Sequence, residues 1–243
     1  MGADEGTSQM IGRRKFRFFL TLFLLCAIFF CASANSYALP EGFVYLEDVA
    51  PGIVIDLRYA GDNNFIGRPI DGYVKPRCIV TKEMAKALKR VQSELHSHGL
   101  GLKIYDSYRP QRAVNHFVRW AKDSNDTKMK AEYYPNVKKE SLFKEGYIAG
   151  RSGHSRGSSV DLTIVSVSKP DSGQEIDMGS PFDFFDPKSW TKSPDVSPDQ
   201  RSNRLLLKTI MEKNGFQPYE KEWWHFTLRN EPYPNSYFDF PVE

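Results

Sequence analysis

A chain of 243 residues, 40% of them hydrophobic, can bury one sizeable core, and 33 basic against 30 acidic side chains leave a formal net charge of only +3. That balance offers no basic surface for a nucleic-acid site. The one long apolar run, Phe18 to Ala32, is short of the roughly 20 residues a membrane-spanning helix needs.

The run follows Arg13, Arg14, Lys15 and Arg17 and precedes Ala32-Ser33-Ala34 and Ala38. These are the basic, apolar and small-residue regions of an export leader, so residues 1–38 are expected to be removed by cleavage after Ala34 or Ala38. The product is then periplasmic or secreted, with no membrane attachment, and residues 39–243 form a single domain. It keeps 29 basic and 28 acidic side chains and one cysteine, Cys78, which excludes an intramolecular disulfide and reads as a small apolar residue.

Within that domain Met84, Ala87, Leu88, Val91 and Leu95 recur at helical spacing, with Gly99 as a stop. His96 and His98 fall in the last turn and read as a solvated helix end. Leu102-Lys-Ile-Tyr105 reads as a strand. It ends in the turn Asp106-Ser-Tyr-Arg109-Pro110, where Pro110 can start a helix through Val114, Phe117 and Val118. Arg109 is therefore expected at a strand-to-helix junction, with His116 packing on that helix and Arg112 and Arg119 on its outer face. Residues 123–150 are polar and rich in Lys and Tyr, an excursion that returns just before His154 and can wall a site there. Ser197-Pro198 caps a further helix through Leu205, Leu206 and Ile210, closed by Gly215. Strands are expected around Val160–Ile164 and Trp223–Thr227.

The chemistry sits on those last two strands. Taken alone, His154 beside a glycine reads as a loop or core histidine, and Glu222 and His225 as a solvated strand end. Asp161 is harder to dismiss, because a carboxylate between Val160 and Leu162 is costly unless it is paired or binds a metal. Together His154, Asp161 and His225 supply the two imidazoles and one carboxylate that hold a catalytic zinc with one position open. Glu222, three residues before the last ligand, is then a candidate general base. One tension follows: on a regular strand positions 222 and 225 face opposite sides, so a bulge or the strand's start must turn Glu222 back.

Ser152-x-His154-x-x-x-Gly157-x-x-x-Asp161 followed by Glu222-x-x-His225 resembles the zinc D-Ala-D-Ala dipeptidases of peptidase family M15, the VanX type. The similarity extends to Asp56-Leu-Arg-Tyr-Ala with Asn64-Phe-x-Gly67, to Tyr105-Asp-Ser-Tyr-Arg109-Pro, and to Met178-Gly-Ser-Pro-Phe-Asp183-Phe. The resemblance implies an α+β domain, a mostly antiparallel sheet flanked by helices with the zinc site in a central cleft. It further implies one Zn²⁺ per chain and hydrolysis of D-Ala-D-Ala. Arg109 would face the oxyanion, with Asp106 orienting it; Asp183 would lie near the substrate and Ser152 near its amino terminus. A peptidoglycan D,D-carboxypeptidase or endopeptidase shares the zinc motif but needs an open groove. A non-catalytic zinc-bearing binding module needs neither Glu222 nor Arg109.

Overall fold

Side-chain alternation along the longest strand organises the molecule. In β5 (Ser159–Ser166), Val160, Leu162 and Ile164 point to one face and Asp161 and Thr163 to the other, and all five are buried. A strand buried on both faces belongs in the middle of a sheet. β5 indeed lies at the centre of a five-stranded sheet ordered β2-β4-β5-β7-β6, formed with β2 (Val54–Ile55), β4 (Leu100–Asp106), β6 (Phe216–Tyr219) and β7 (Glu222–Leu228). All pairings are antiparallel except β2 with β4. A separate antiparallel pair joins β1 (Phe43–Tyr45) to β3 (Ile79–Thr81). The computed structural model describes residues 38–170 and 172–243; the export leader read from residues 1–38 lies almost wholly outside them. Residues Pro40–Glu243 make one compact unit.

Three long helices flank the sheet. In α1 (Lys82–His96) the Thr81 side chain accepts from Met84 N–H, and Met84, Leu88, Val91 and Leu95 are buried as their spacing requires. The helix packs against β4 after the chain reverses at Gly99, whose φ of +73° suits glycine. His96 and His98 are exposed at its end. α2 (Gln111–Lys122) follows β4 through the Arg109 junction, with Pro110 at the N-cap position, one residue earlier than a first-turn proline. α3 (Pro198–Lys213) has a capping box in which Ser197 Oγ accepts from Gln200 N–H and Gln200 Oε1 accepts from Ser197 N–H.

The inward face of α3 differs from the apolar pattern. Ile210 is buried, but Leu205 and Leu206 are 61% and 42% exposed, and Arg204 lies inside with Leu207 and Met211. The Arg204 guanidinium donates to the carbonyls of Met178 (2.6 Å), Lys188 (2.9 Å) and Trp190 (2.7 Å). A loop whose one regular element is the 3₁₀ turn Pro187–Ser189, residues 178–190, is thereby fastened to a helix, and that loop carries Asp183. Cys78 is buried, and burial pushes its thiol upward, in keeping with its apolar reading.

Candidate metal and catalytic centre

Local backbone chemistry shapes the first half of the site. Ser152 is extended (φ −131°, ψ 143°) and caps a short 3₁₀ turn, Gly153–Arg156, its Oγ accepting from His154 N–H at 3.3 Å. Gly157 then takes φ +76° and turns the chain into β5. A Cβ at Gly157 would lie 2.2 Å from Phe43 Cε1, so strain and collision both exclude larger residues. Gly157→Ala should therefore lower unfolding free energy by at least about 1–2 kcal/mol, the left-handed penalty alone. Denaturant unfolding checks this; an unchanged midpoint would refute it.

Register supplies the second half. Asp161 on β5 stands directly opposite His225 on β7, and His154 enters from the turn. His154 Nε2 is 3.3 Å from Asp161 Oδ1, His225 Nδ1 is 3.0 Å from the same oxygen, and the two ring nitrogens are 3.1 Å apart. Ligands about 2.0–2.1 Å from a tetrahedral zinc stand roughly 3.3 Å from one another. The triangle fits that ion. His154 Nδ1–H donates to Ser107 O at 2.7 Å, which leaves Nε2 bare and aimed at the triangle. Burial alone would raise the Asp161 carboxyl; the charges and hydrogen bonds of His154 and His225 prevail and hold it well below the carboxylate range.

Glu222 joins the same side through an irregularity. Pro218 of β6 pairs with Phe226, yet Tyr219 pairs with Glu222, so residues 223–225 have no partners of their own on β6. This bulge cancels the alternation that would part Glu222 from His225, and brings Glu222 Oε2 to 3.9 Å from His225 Nδ1. Burial, opposed by the charge of His225, pushes Glu222 up to about 7, suited to taking a proton near neutrality.

A second bulge sets the arginine. β4 and β5 pair regularly to Ile104↔Leu162, after which Asp106, not Tyr105, lies opposite Asp161. Tyr105 is the extra residue and stacks on Phe182. Asp106 accepts from Arg109 Nε at 2.8 Å and from Tyr73 OH at 2.6 Å, and Arg109 Nη2 reaches Asp161 Oδ2 at 3.4 Å. The guanidinium also lies over the rings of Tyr59 and Phe117, 4.9 and 5.1 Å from their centroids. Fully buried Asp106 is raised by its burial, against the pull of Arg109 and His154. Asp183, at φ +60°, accepts from Tyr59 OH at 2.8 Å; burial and the charge of Asp161 push its carboxyl well above the usual range.

All eight residues singled out from the sequence thus gather here. His154, Asp161, His225, Glu222, Arg109, Ser152 and Asp183 line one cleft of about 270 Å³, and Asp106 sits beneath Arg109. Its walls include Tyr59 and Phe65 from the early segment and Tyr147 to Ala149 from the end of the polar excursion. His116 stays outside, accepting from Asp71 N–H at 3.2 Å, while Arg112 pairs with Asp239 and Arg119 with Asp71. Sequence reasoning passed over Tyr59, Tyr73 and the Ser107 carbonyl. Tyr59 stood inside a quoted motif; a carbonyl has no side-chain signature, and Tyr73 nothing that marks it.

A His-Asp-His triangle, its His154 and Asp161 buried and His225 half-buried, lies beside a glutamate and an arginine in one cleft, an arrangement that suits a metallopeptidase. Residues 40–243 match the peptidase M15 family of D-Ala-D-Ala dipeptidases, and the chain belongs to that family. It is 44% identical over 202 residues to the D-alanyl-D-alanine dipeptidase of Enterococcus faecium, covering 83% of this chain and 98% of the relative. The enzymes of the same name from Enterococcus faecalis and Streptomyces coelicolor are each 43% identical, over 83% and 82% of this chain and 98% of each relative.

Proposed function

We propose that this chain hydrolyses D-Ala-D-Ala to two molecules of D-alanine, with one zinc ion held by His154 Nε2, Asp161 and His225 Nδ1. The observation that carries the reading is the ligand triangle with edges of 3.0–3.3 Å, set beside Glu222 and Arg109. Zinc bound there would lower the pKa of water from about 16 toward about 7, making a nucleophile available at neutral pH.

The chain's own groups do the rest. Glu222 takes the proton of the attacking water on a carboxylate oxygen and delivers it to the nitrogen of the leaving D-alanine. Arg109, held by Asp106 and Asp161, faces the oxygen on which negative charge develops, and its permanent charge needs no proton movement to act. The substrate's ammonium lies against Asp161, Glu222 and the Asp183–Tyr59 pair, with Ser152 Oγ beside it. A buried carboxyl such as Asp183, short of countercharge, gains from an arriving cation. The cleft, about 270 Å³, falls just below the roughly 300–1,000 Å³ range of ligand pockets, which favours a dipeptide over a wall peptide.

The direct test is to incubate the protein, with zinc, separately with D-Ala-D-Ala, L-Ala-L-Ala and an acyl-D-Ala-D-Ala, and measure release of alanine. D-Ala-D-Ala should be the preferred substrate. Prolonged chelation should abolish hydrolysis and added zinc restore it; full activity in demonstrably metal-free protein would refute the zinc reading. The basic and apolar stretches of residues 13–32 support export, so the enzyme would meet dipeptide released from the cell wall or present in the surroundings. Recycling or nutrition then fits better than depletion of a cytoplasmic pool. Fractionation of the producing cell tests this, and activity confined to the cytoplasm would overturn it.

A further inference from the structure

The two histidines reach the ligand triangle through different nitrogens. His154 presents Nε2 and hands its Nδ1–H to a backbone carbonyl. His225 presents Nδ1, which leaves its Nε2 3.4 Å from Thr227 Oγ1. A nitrogen that binds a metal must be bare, so His225 has to carry its proton on Nε2, and that proton needs an acceptor. Thr227 Oγ1 is in place to accept it. The hydroxyl's own proton then goes to Ser159 Oγ, 2.7 Å away.

Strand register makes this chain of hydroxyls possible. Asp161 pairs with His225, and one step of the two-residue alternation further along, on the same face, Ser159 pairs with Thr227. Ser159 is fully buried, and a Cβ at Gly153 would lie 2.5 Å from its Oγ. The hydroxyl pair therefore sits beneath the turn that carries His154 while it also touches the ring of His225. We propose that Thr227, backed by Ser159, is a positioning residue that sets the tautomer and ring orientation of His225 and so the affinity of the site for zinc.

The inference rests on the zinc reading above and is separable from it. Zinc affinity of the full chain is measured by competition with a chromophoric chelator for wild type, Thr227→Val, Thr227→Ser and Ser159→Ala, with the unfolding temperature of each metal-free protein. Thr227→Val keeps the shape and removes the acceptor. It should weaken zinc binding by about 10–100-fold, the usual effect of removing a ligand's hydrogen-bond partner, and Thr227→Ser should restore most of the loss. Ser159→Ala, which leaves Thr227 in place, should cost a smaller factor, and it carries the test if Thr227→Val fails to fold. Zinc affinity of Thr227→Val within twofold of wild type overturns the proposal, as does Thr227→Ser no tighter than Thr227→Val, or an unchanged Ser159→Ala when that variant must decide. Wild-type protein that binds no zinc overturns the zinc reading itself and this inference with it.

Discussion

Glu222→Ala should lower kcat by about 10²–10⁴-fold, the usual contribution of a positioned general base, and leave one zinc per chain in place. The proposed split between base and ligand rests on distance: Glu222 Oε2 is 3.9 Å from His225 Nδ1, outside the triangle whose edges are 3.0–3.3 Å. His225→Ala should behave differently, losing metal and activity together, because it removes one of three ligands. Metal content by elemental analysis and kcat with saturating substrate, measured on both variants, decide the matter. Equal loss of zinc in the two would make Glu222 a ligand or a structural residue, and near-wild-type kcat in Glu222→Ala would remove it from the mechanism.

Blocking the substrate's amino terminus should reduce kcat/KM by at least about a hundredfold. A charge-assisted contact of the ammonium with carboxylates is worth roughly 1.5–3 kcal/mol, and each 1.4 kcal/mol is tenfold, so the lost contact alone accounts for about one to two orders of magnitude. The walls add a steric term, since Tyr59 and Phe65 on one side and Tyr147 to Ala149 on the other line the cleft. Comparing D-Ala-D-Ala with its N-acetyl derivative and with a pentapeptide ending in D-Ala-D-Ala gives the ratio directly. Similar values for all three would reassign the enzyme as a carboxypeptidase acting on wall peptides, while leaving the metal chemistry untouched.

How much of this was legible beforehand follows from what each signal depends on. The candidate ligand set was legible because metal chemistry admits few residue types and because Asp161 sits among apolar neighbours where an unpaired carboxylate is costly. The helices were legible from periodicity and from caps such as Ser197 with Gln200, which act within a few residues of chain. The inward face of α3 was not, because burial of Arg204 answers to the carbonyls of a distant loop and overrides the apolar pattern that points to Leu205 and Leu206.

The relation between Glu222 and His225 shows the same boundary. Their spacing identified a conflict with strand alternation, but only the mispairing of β6 with β7 resolves it, and a bulge is a property of two strands together. Asp106 opposes Asp161 for a like reason, through an extra residue at Tyr105 in the pairing of β4 with β5. The groups beside the two imidazoles, Ser107 O against His154 and Thr227 Oγ1 against His225, are a carbonyl every residue possesses and a hydroxyl with many other uses. Residue chemistry and local spacing determine which groups can bind metal and move protons. Register, set by the burial of whole strand faces, decides which of them meet, because a shift of one residue carries a side chain to the opposite side of the sheet.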